Sequence, residues 1–263
     1  INYLNFRFFY NMIFSKVKFL TFFAIICSIG LAPINDVFAT IDNPAVTASV
    51  TDGVTFDELA GAHGITTVVI GSNTYALVAS QTDNGVQIID ITTPGSPSAT
   101  SSVTDGVGGF DELAGAQSIT TVVIGSNTYA LVPSYTDNGV QIIDITTPGS
   151  PSATASVTDG VGGFNTLENA SDITTVVIGS NTYALVASYG DNGVQIIDIT
   201  TPGSPSVTAS VTDGVTFDEL AGAMSITTVV IGSNTYALVA SYNDNGVQII
   251  DITTPGSPSA TSS

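Results

Sequence analysis

The sequence predicts an all-β fold, a β-propeller-like array of four-stranded antiparallel blades. Three observations carry this: one segment recurs four times almost unchanged, each copy reads as short strands joined by tight turns, and both faces of those strands are apolar. The recurrence is literal. The tetrapeptide VTDG begins at Val50, Val103, Val157 and Val211, and IID ends at Asp90, Asp144, Asp198 and Asp251, which gives a period of 53 or 54 residues. Self-similarity at such a period marks solenoids, propellers and related arrays. Complete units are expected at about 41–94, 95–148, 149–202 and 203–255, with a partial fifth at 256–263.

Within the first unit the strands are expected at Val46–Val50, Ile65–Ile70, Thr74–Ala79 and Val86–Ile91. Valine, isoleucine, threonine and tyrosine fill them, as pleated structure favours. Gly71-Ser72-Asn73 and Asp83-Asn84-Gly85 supply the backbone conformations that tight hairpins require. The segment TTPGSP (92–97) is expected to end pairing, because proline cannot donate to a ladder. The stretch FDELAGA (56–62) suits one helical turn, with Phe56 against the blade.

Alternation places Ile65, Thr67 and Val69 on one face of the second strand and Thr66, Val68 and Ile70 on the other. Both faces are mostly apolar, so each sheet must be covered on both sides. Stacking of like sheets does this, and each copy then serves as the wall on which its neighbour packs. Four complete units and a stub read as part of a larger propeller, with an open arc or a compact four-bladed ring as alternatives.

The amino terminus reads differently. Arg7, Lys16 and Lys18 precede an apolar run, Phe19–Ala32, followed by Val37-Phe38-Ala39 with small residues where a signal peptidase reads. This is the grammar of a secretory signal peptide over 1–39, and the run is short for a membrane span of about 20 residues. Met12 is the better natural start, so 1–11 reads as upstream translation. Removal of 1–39 takes away all three basic residues and the one cysteine, leaving 21 of the 22 acidic residues. A surface with no cation does not neutralise phosphates, so nucleic acid and insertion of the mature domain into a membrane are not expected. Disulfides and thiol chemistry are excluded from that part as well.

The second half of each unit, YALVA followed by GVQIIDIT and two prolines, resembles the LVIVD repeat of secreted and cell-surface proteins of archaea and bacteria. The resemblance implies β-propellers and an extracellular location. The unit here departs from the family in being longer, through DGVTFDELAGAHG (52–64).

An up-and-down meander sends alternate connections to opposite edges of each sheet. GSNT and TTPGSP fall on one edge and never vary. The differences between copies gather on the other: His63, Gln117, Ser171 and Met224 at one position, Gln81, Tyr135, Tyr189 and Tyr242 at another. We take Gln81, Tyr135, Tyr189, Tyr242, His63 and Met224 as candidate ligand-binding residues, with a surface protein or a glycan as partner. Plain drift in exposed loops is the alternative.

The acidic residues lie on the same edge. Asp52, Asp57, Glu58 and Asp83 recur as Asp105, Asp111, Glu112 and Asp137 and as Asp213, Asp218, Glu219 and Asp244. In the third unit, Asp159 and Asp191 remain while Asn165 and Thr166 replace the Asp-Glu pair. Carboxylates in Gly-rich loops are candidate Ca²⁺ ligands, since this hard cation takes six to eight oxygens. No D-x-D-x-D-G signature accompanies them, and solvated charge is the alternative.

No catalytic site is expected. His63 is the one candidate base and has no counterpart in the other units, and near-identical carboxylate sets lack the distinct environments that acid and base roles require. The rival readings are a carboxylate-based glycoside hydrolase or lyase on the same scaffold, and a spacer in a surface layer. Asn169-Ala170-Ser171 is a candidate N-glycosylation sequon.

Overall fold

The computed structural model describes residues 47–262. The signal-peptide segment 1–39 and residue 46, which opens the first expected strand, lie outside the described residues. Sixteen strands form four antiparallel four-stranded sheets, each in simple sequential order. The first contains β1 (Ala62–Ile70), β2 (Asn73–Ser80), β3 (Gly85–Asp90) and β4 (Ser98–Thr104). The second contains β5 (Thr120–Ile124), β6 (Asn127–Ser134), β7 (Gly139–Asp144) and β8 (Ser152–Thr158). The third contains β9 (Ala170–Ile178), β10 (Asn181–Ser188), β11 (Gly193–Asp198) and β12 (Ser206–Thr212), and the fourth contains β13 (Ala223–Ile231), β14 (Asn234–Ser241), β15 (Gly246–Asp251) and β16 (Ser259–Ser262). The first strands β1, β5, β9 and β13 lie side by side along the axis of the array.

The sheets are out of phase with the units read from the sequence. The segment VTASV was expected to open each unit, yet its copy at Ser98–Thr104 pairs with β3 and closes the preceding sheet. The proline-containing link 91–97 is therefore a turn within a sheet, closed by Ser96 N–H donating to Thr93 O at 2.8 Å. Residues 47–50 form no strand; their copies pair with the third strand of the sheet before them, and no such strand precedes them among the described residues. The distribution of loops between the two edges survives this shift, since every connection moves together.

Each β4-type strand carries a bulge opposite the IID segment, between Ile88 and Ile89 in the first sheet. A buried glutamine repairs it. Gln87 Nε2 donates to Ser101 O at 2.9 Å, and Gln141 and Gln195 do the same to Ala155 O and Ala209 O. The Oε1 of Gln141 faces the other way and accepts from the backbone N–H of Asp111 and Glu112. The glutamine is polar in an apolar strand because both ends of its amide are used.

Apolar cores lie between consecutive sheets. Leu77, Val86 and Ile88 of the first sheet meet Ala130, Val132 and Ile143 of the second, with Phe110 and Leu113 of the connection closing the seam. The same arrangement joins sheets two and three, and three and four. The phenylalanine packs as expected, but FDELAGA is not helical: a single turn, Ala62 N–H to Leu59 O at 3.0 Å, reverses the chain there. No core joins sheet four to sheet one among the described residues, so the four sheets form an open array, not a compact ring.

Candidate functional site: the variable rim

The invariant edge is braced by side chains. Asn73 Nδ2 donates to Asp90 Oδ2 at 3.0 Å, Thr92 N–H to Asp90 Oδ1 at 2.8 Å, and Thr74 N–H to Thr92 Oγ1 at 2.9 Å. All four sheets repeat this brace. Hydrogen bonds from Thr92 hold the Asp90 carboxyl below its ordinary range, and Thr253 does so for Asp251. The residues of this edge are occupied, which is why they do not vary between copies.

On the opposite edge two kinds of residue are interleaved. The aspartates are structural. Asp52 Oδ1 accepts from Leu59 N–H at 3.2 Å and Asp83 Oδ2 from Ala60 N–H at 2.6 Å. Asp105 and Asp137 hold Leu113 and Ala114 in the same way, Asp159 and Asp191 hold Leu167 and Glu168, and Asp213 and Asp244 hold Leu220 and Ala221. Each inter-sheet connection is thus clamped by two carboxylates on successive backbone amides. Asp57, Asp111 and Asp218 are exposed. Among the described residues no group of three acidic or histidine side chains converges to hold a cation, and eight of the candidate Ca²⁺ ligands, the clamping aspartates, face backbone N–H groups.

The glutamates go inward. Glu58 and Glu112 are each 6 % exposed, and each accepts a hydrogen bond on Oε1, from the hydroxyls of Thr104 and Thr158. Their Oε2 atoms are buried without a partner. They lie over Gly85 and Gly139, where a Cβ would collide with them and with the carbonyls of Val103 and Val157. Burial pushes the Glu112 carboxyl up to about 7; the Thr158 hydroxyl opposes this, and the charges of Asp137, Asp105 and Asp111 add to it. Glu58 is raised for the same reason. In the third unit Thr166 takes this place over Gly193.

Of the candidate ligand-binding residues, Gln81 and the three tyrosines contribute backbone hydrogen bonds to the fold. The N–H groups of Gln81, Tyr135, Tyr189 and Tyr242 donate to Gly61 O, Gly115 O, Asn169 O and Gly222 O at 2.9–3.1 Å. Their side chains are free to differ. Tyr135 and Tyr189, on consecutive sheets, have ring centroids 6.4 Å apart at a tilt of 41°, and Tyr242 continues the row on sheet four with 71 % of its surface exposed. Gln81, His63 and Met224 are exposed on the same rim; His63 Nδ1 lies 2.8 Å from Gln117 O. Asn169 Nδ2 donates to Tyr135 O at 2.9 Å and Ser171 is buried, so the sequon is built into the rim.

Asp172 escaped the sequence-based list of candidates. Where the other units carry Gly64, Ser118 and Ser225, it accepts from Ser118 Oγ at 2.7 Å, and its second oxygen accepts from Ser225 Oγ and Ile226 N–H, both at 2.9 Å. One carboxylate thereby ties β9 to β13 and to the residues leading into β5. The signal was its departure from a position otherwise small in every copy.

Four-stranded meanders stacked along an axis by their first strands define a protein of the β-propeller class. Within it, the LVIVD repeat model matches residues 63–105, 123–159, 172–213 and 227–263. The chain belongs to the LVIVD repeat family, as the residues resembling it implied. Its matched segments follow the sheets and not the units first read from the period. Solved structures share the fold at low identity. A putative 6-phosphogluconolactonase from Bacteroides uniformis aligns at 16 % identity and TM-score 0.55, over 77 % of this chain and 57 % of its own. A functionally unknown protein from Desulfotomaculum acetoxidans aligns at 16 % and 0.52, over 74 % and 54 %. The exo-β-1,3-galactanase of Phanerochaete chrysosporium gives 12 % and 0.52, over 80 % and 52 %. The chain thus spans about half the length of these structures. No curated protein matches it.

Proposed function

We propose that this chain is an exported, extracellular binding module whose variable rim holds a surface protein or a glycan. One observation carries the reading: a row of tyrosines, one per sheet on sheets two to four, whose backbone N–H groups maintain the fold while their side chains, half-buried at Tyr135 and Tyr189 and exposed at Tyr242, make no hydrogen bond of it. Aromatic faces at such spacing suit stacking on sugar rings or on apolar and cationic side chains. The net charge of −19 favours neutral or basic partners over nucleic acid. Export rests on the charged and apolar grammar of residues 1–39, and no helix among the described residues is long and apolar enough to cross a membrane.

Binding is favoured over a hydrolase or lyase because Glu112, the carboxyl raised to about 7, is buried against Gly139, and Glu58 duplicates it. A reacting carboxyl would need access and an environment of its own. The test is binding of the full chain to immobilised neutral polysaccharides and to basic proteins, compared with the Tyr135→Ala/Tyr189→Ala double variant. We expect at least about a tenfold loss of affinity for one probe with an unchanged denaturation midpoint. Equal binding by both proteins, or release of reducing sugar by the wild type, contradicts the reading.

A further inference from the structure

The third unit departs from the other three at one place on the rim, and the departures fit one another. Where units one, two and four carry Ala60-Gly61, Ala114-Gly115 and Ala221-Gly222, the third carries Glu168-Asn169; where they carry Thr82, Thr136 and Asn243, it carries Gly190. The exchange conserves space. A Cβ on Gly61, Gly115 or Gly222 would strike Thr82, Thr136 or Asn243, whereas a Cβ on Gly190 would strike Glu168 Cγ and Asn169 Oδ1. Asn169 keeps the left-handed backbone of the glycines, with φ of 51° against their 68–71°, a conformation that asparagine tolerates.

The exchange puts a side chain where the other units have none. Asn169 Nδ2 crosses the seam between sheets two and three to donate to Tyr135 O at 2.9 Å, while Asn169 O accepts from Tyr189 N–H at 3.1 Å. One residue thus holds the backbones of both tyrosines, whose ring centroids stand 6.4 Å apart. Gly115 and Gly222 have no side chain to reach across their seams. Beside the pair, Glu168 is exposed, and its stem covers Gly190, the residue after Tyr189. Burial raises the Asp191 carboxyl above its ordinary range, and the charges of Asp159 and Glu168 add to this. No Lys or Arg occurs among the described residues to neutralise these groups.

We propose that this seam is a subsite for an organic cation, the guanidinium of an arginine-bearing protein segment, held over Tyr135 and Tyr189 and paired with Glu168, with Asn169 and Gly190 as positioning residues. The proposal rests on the rim reading above and deepens it by naming the partner's chemistry. Attraction of a cation to a ring face acts within about 6 Å of the centroid, and centroids 6.4 Å apart let one cation reach both rings. The tilt of 41° denies a sugar chain a coplanar platform, a demand that a single charge does not make. Guanidinium suits the place better than ammonium, because it stacks on an aromatic face and offers a fork of donors to a carboxylate.

Titration of the full chain with an arginine hexapeptide at about 150 mM salt, followed by calorimetry and tyrosine fluorescence, tests this. The arginine peptide should bind about fivefold more tightly than a lysine hexapeptide of equal charge. Asn169→Gly/Gly190→Thr gives unit three the pairing of unit two and so preserves the fold. It should weaken binding of the arginine peptide about tenfold and abolish the preference over lysine, with an unchanged circular dichroism spectrum. Glu168→Gln should weaken binding about fivefold, whereas Asp111→Asn, which removes an exposed rim charge elsewhere, should change it less than about twofold. Equal losses in these two single variants would mean attraction to net charge alone and overturn the inference, as would full affinity in the Asn169→Gly/Gly190→Thr variant. If the wild type binds a neutral polysaccharide through Tyr135 and Tyr189 but not the arginine peptide, the inference falls and the rim reading stands. If it binds neither probe, both fall.

Discussion

The interior seams and the two ends of the array are made of the same residues in opposite circumstances. Val140 and Val194 lie in apolar cores between sheets, while Val247, with the same neighbours in sequence, has more than half its surface exposed. Ile119, Ile173 and Ile226 are buried and Ile65 is not. Local sequence is held nearly constant, so the difference isolates what the neighbour contributes. A sheet of this kind has two apolar faces, and stability in such arrays is a sum of the unit and its interfaces.

The comparison is broken most forcefully by truncating matched leucines. Leu131→Ala and Leu185→Ala, at sites 0–1 % exposed, should each cost about 3 kcal/mol, as large-to-small changes in packed cores do. Leu238→Ala, on the half-buried trailing sheet, should cost roughly 1 kcal/mol in the dilute chain. Urea denaturation of all three reads the contrast, and equal losses would mean that the seams add nothing.

A smaller contrast lies in the capping asparagines. Asn138→Ala removes a hydrogen bond across a seam and strains a residue at φ 61°, for about 2 kcal/mol. Asn245→Ala loses no bond across a seam, only a long local one to Asn243 O and the backbone preference at φ 55°, about 1 kcal/mol.

Protonation offers a third contrast, on the scale of 1–2 kcal/mol once solvent screening is allowed for. The Glu112 carboxyl is raised from 4.5 to about 7 in the folded chain. Between these values the native state holds a proton that the unfolded chain has lost. Its contribution is therefore complete below pH 4.5 and declines as pH rises through 7. The chain should denature at lower urea at pH 8 than at pH 5, and Glu112→Gln should flatten that slope.

The smallest effect on stability is expected at Tyr189→Ala, whose side chain supports no hydrogen bond of the fold; a denaturation midpoint within about 0.5 kcal/mol of wild type is the expected result.

How far the sequence announced this follows from the range of each interaction. The period, the two hairpins within each sheet and the separation of loops onto two edges are set by local alternation and turn residues, and they were legible. The phase of the sheets was not, because Pro94 and Pro97 look like a break while sitting in a turn that leaves Ser98–Thr104 paired with β3. The backbone partners of the aspartates were hidden for a related reason. Aspartate in a Gly-rich loop suits a cation and a backbone amide equally, and spacing alone does not show that Asp137 meets Ala114 N–H 23 residues away. Glu112 looked like its exposed neighbour Asp111, and only the fold turns one inward. Asp172 draws together residues 53 and 54 positions to either side, a contact that exists only once the sheets are stacked.

Hydrogen exchange of the β15 amides relative to those of β7 and β11 tests the central claim most directly. The three strands share the sequence GVQIID. The account predicts that β15 exchanges much faster than β7 and β11, because Val247 lacks the covering that Val140 and Val194 have. Equal protection of all three strands in the dilute chain would contradict it, since stability would then reside in the sequence of each sheet and not in the neighbour on its face.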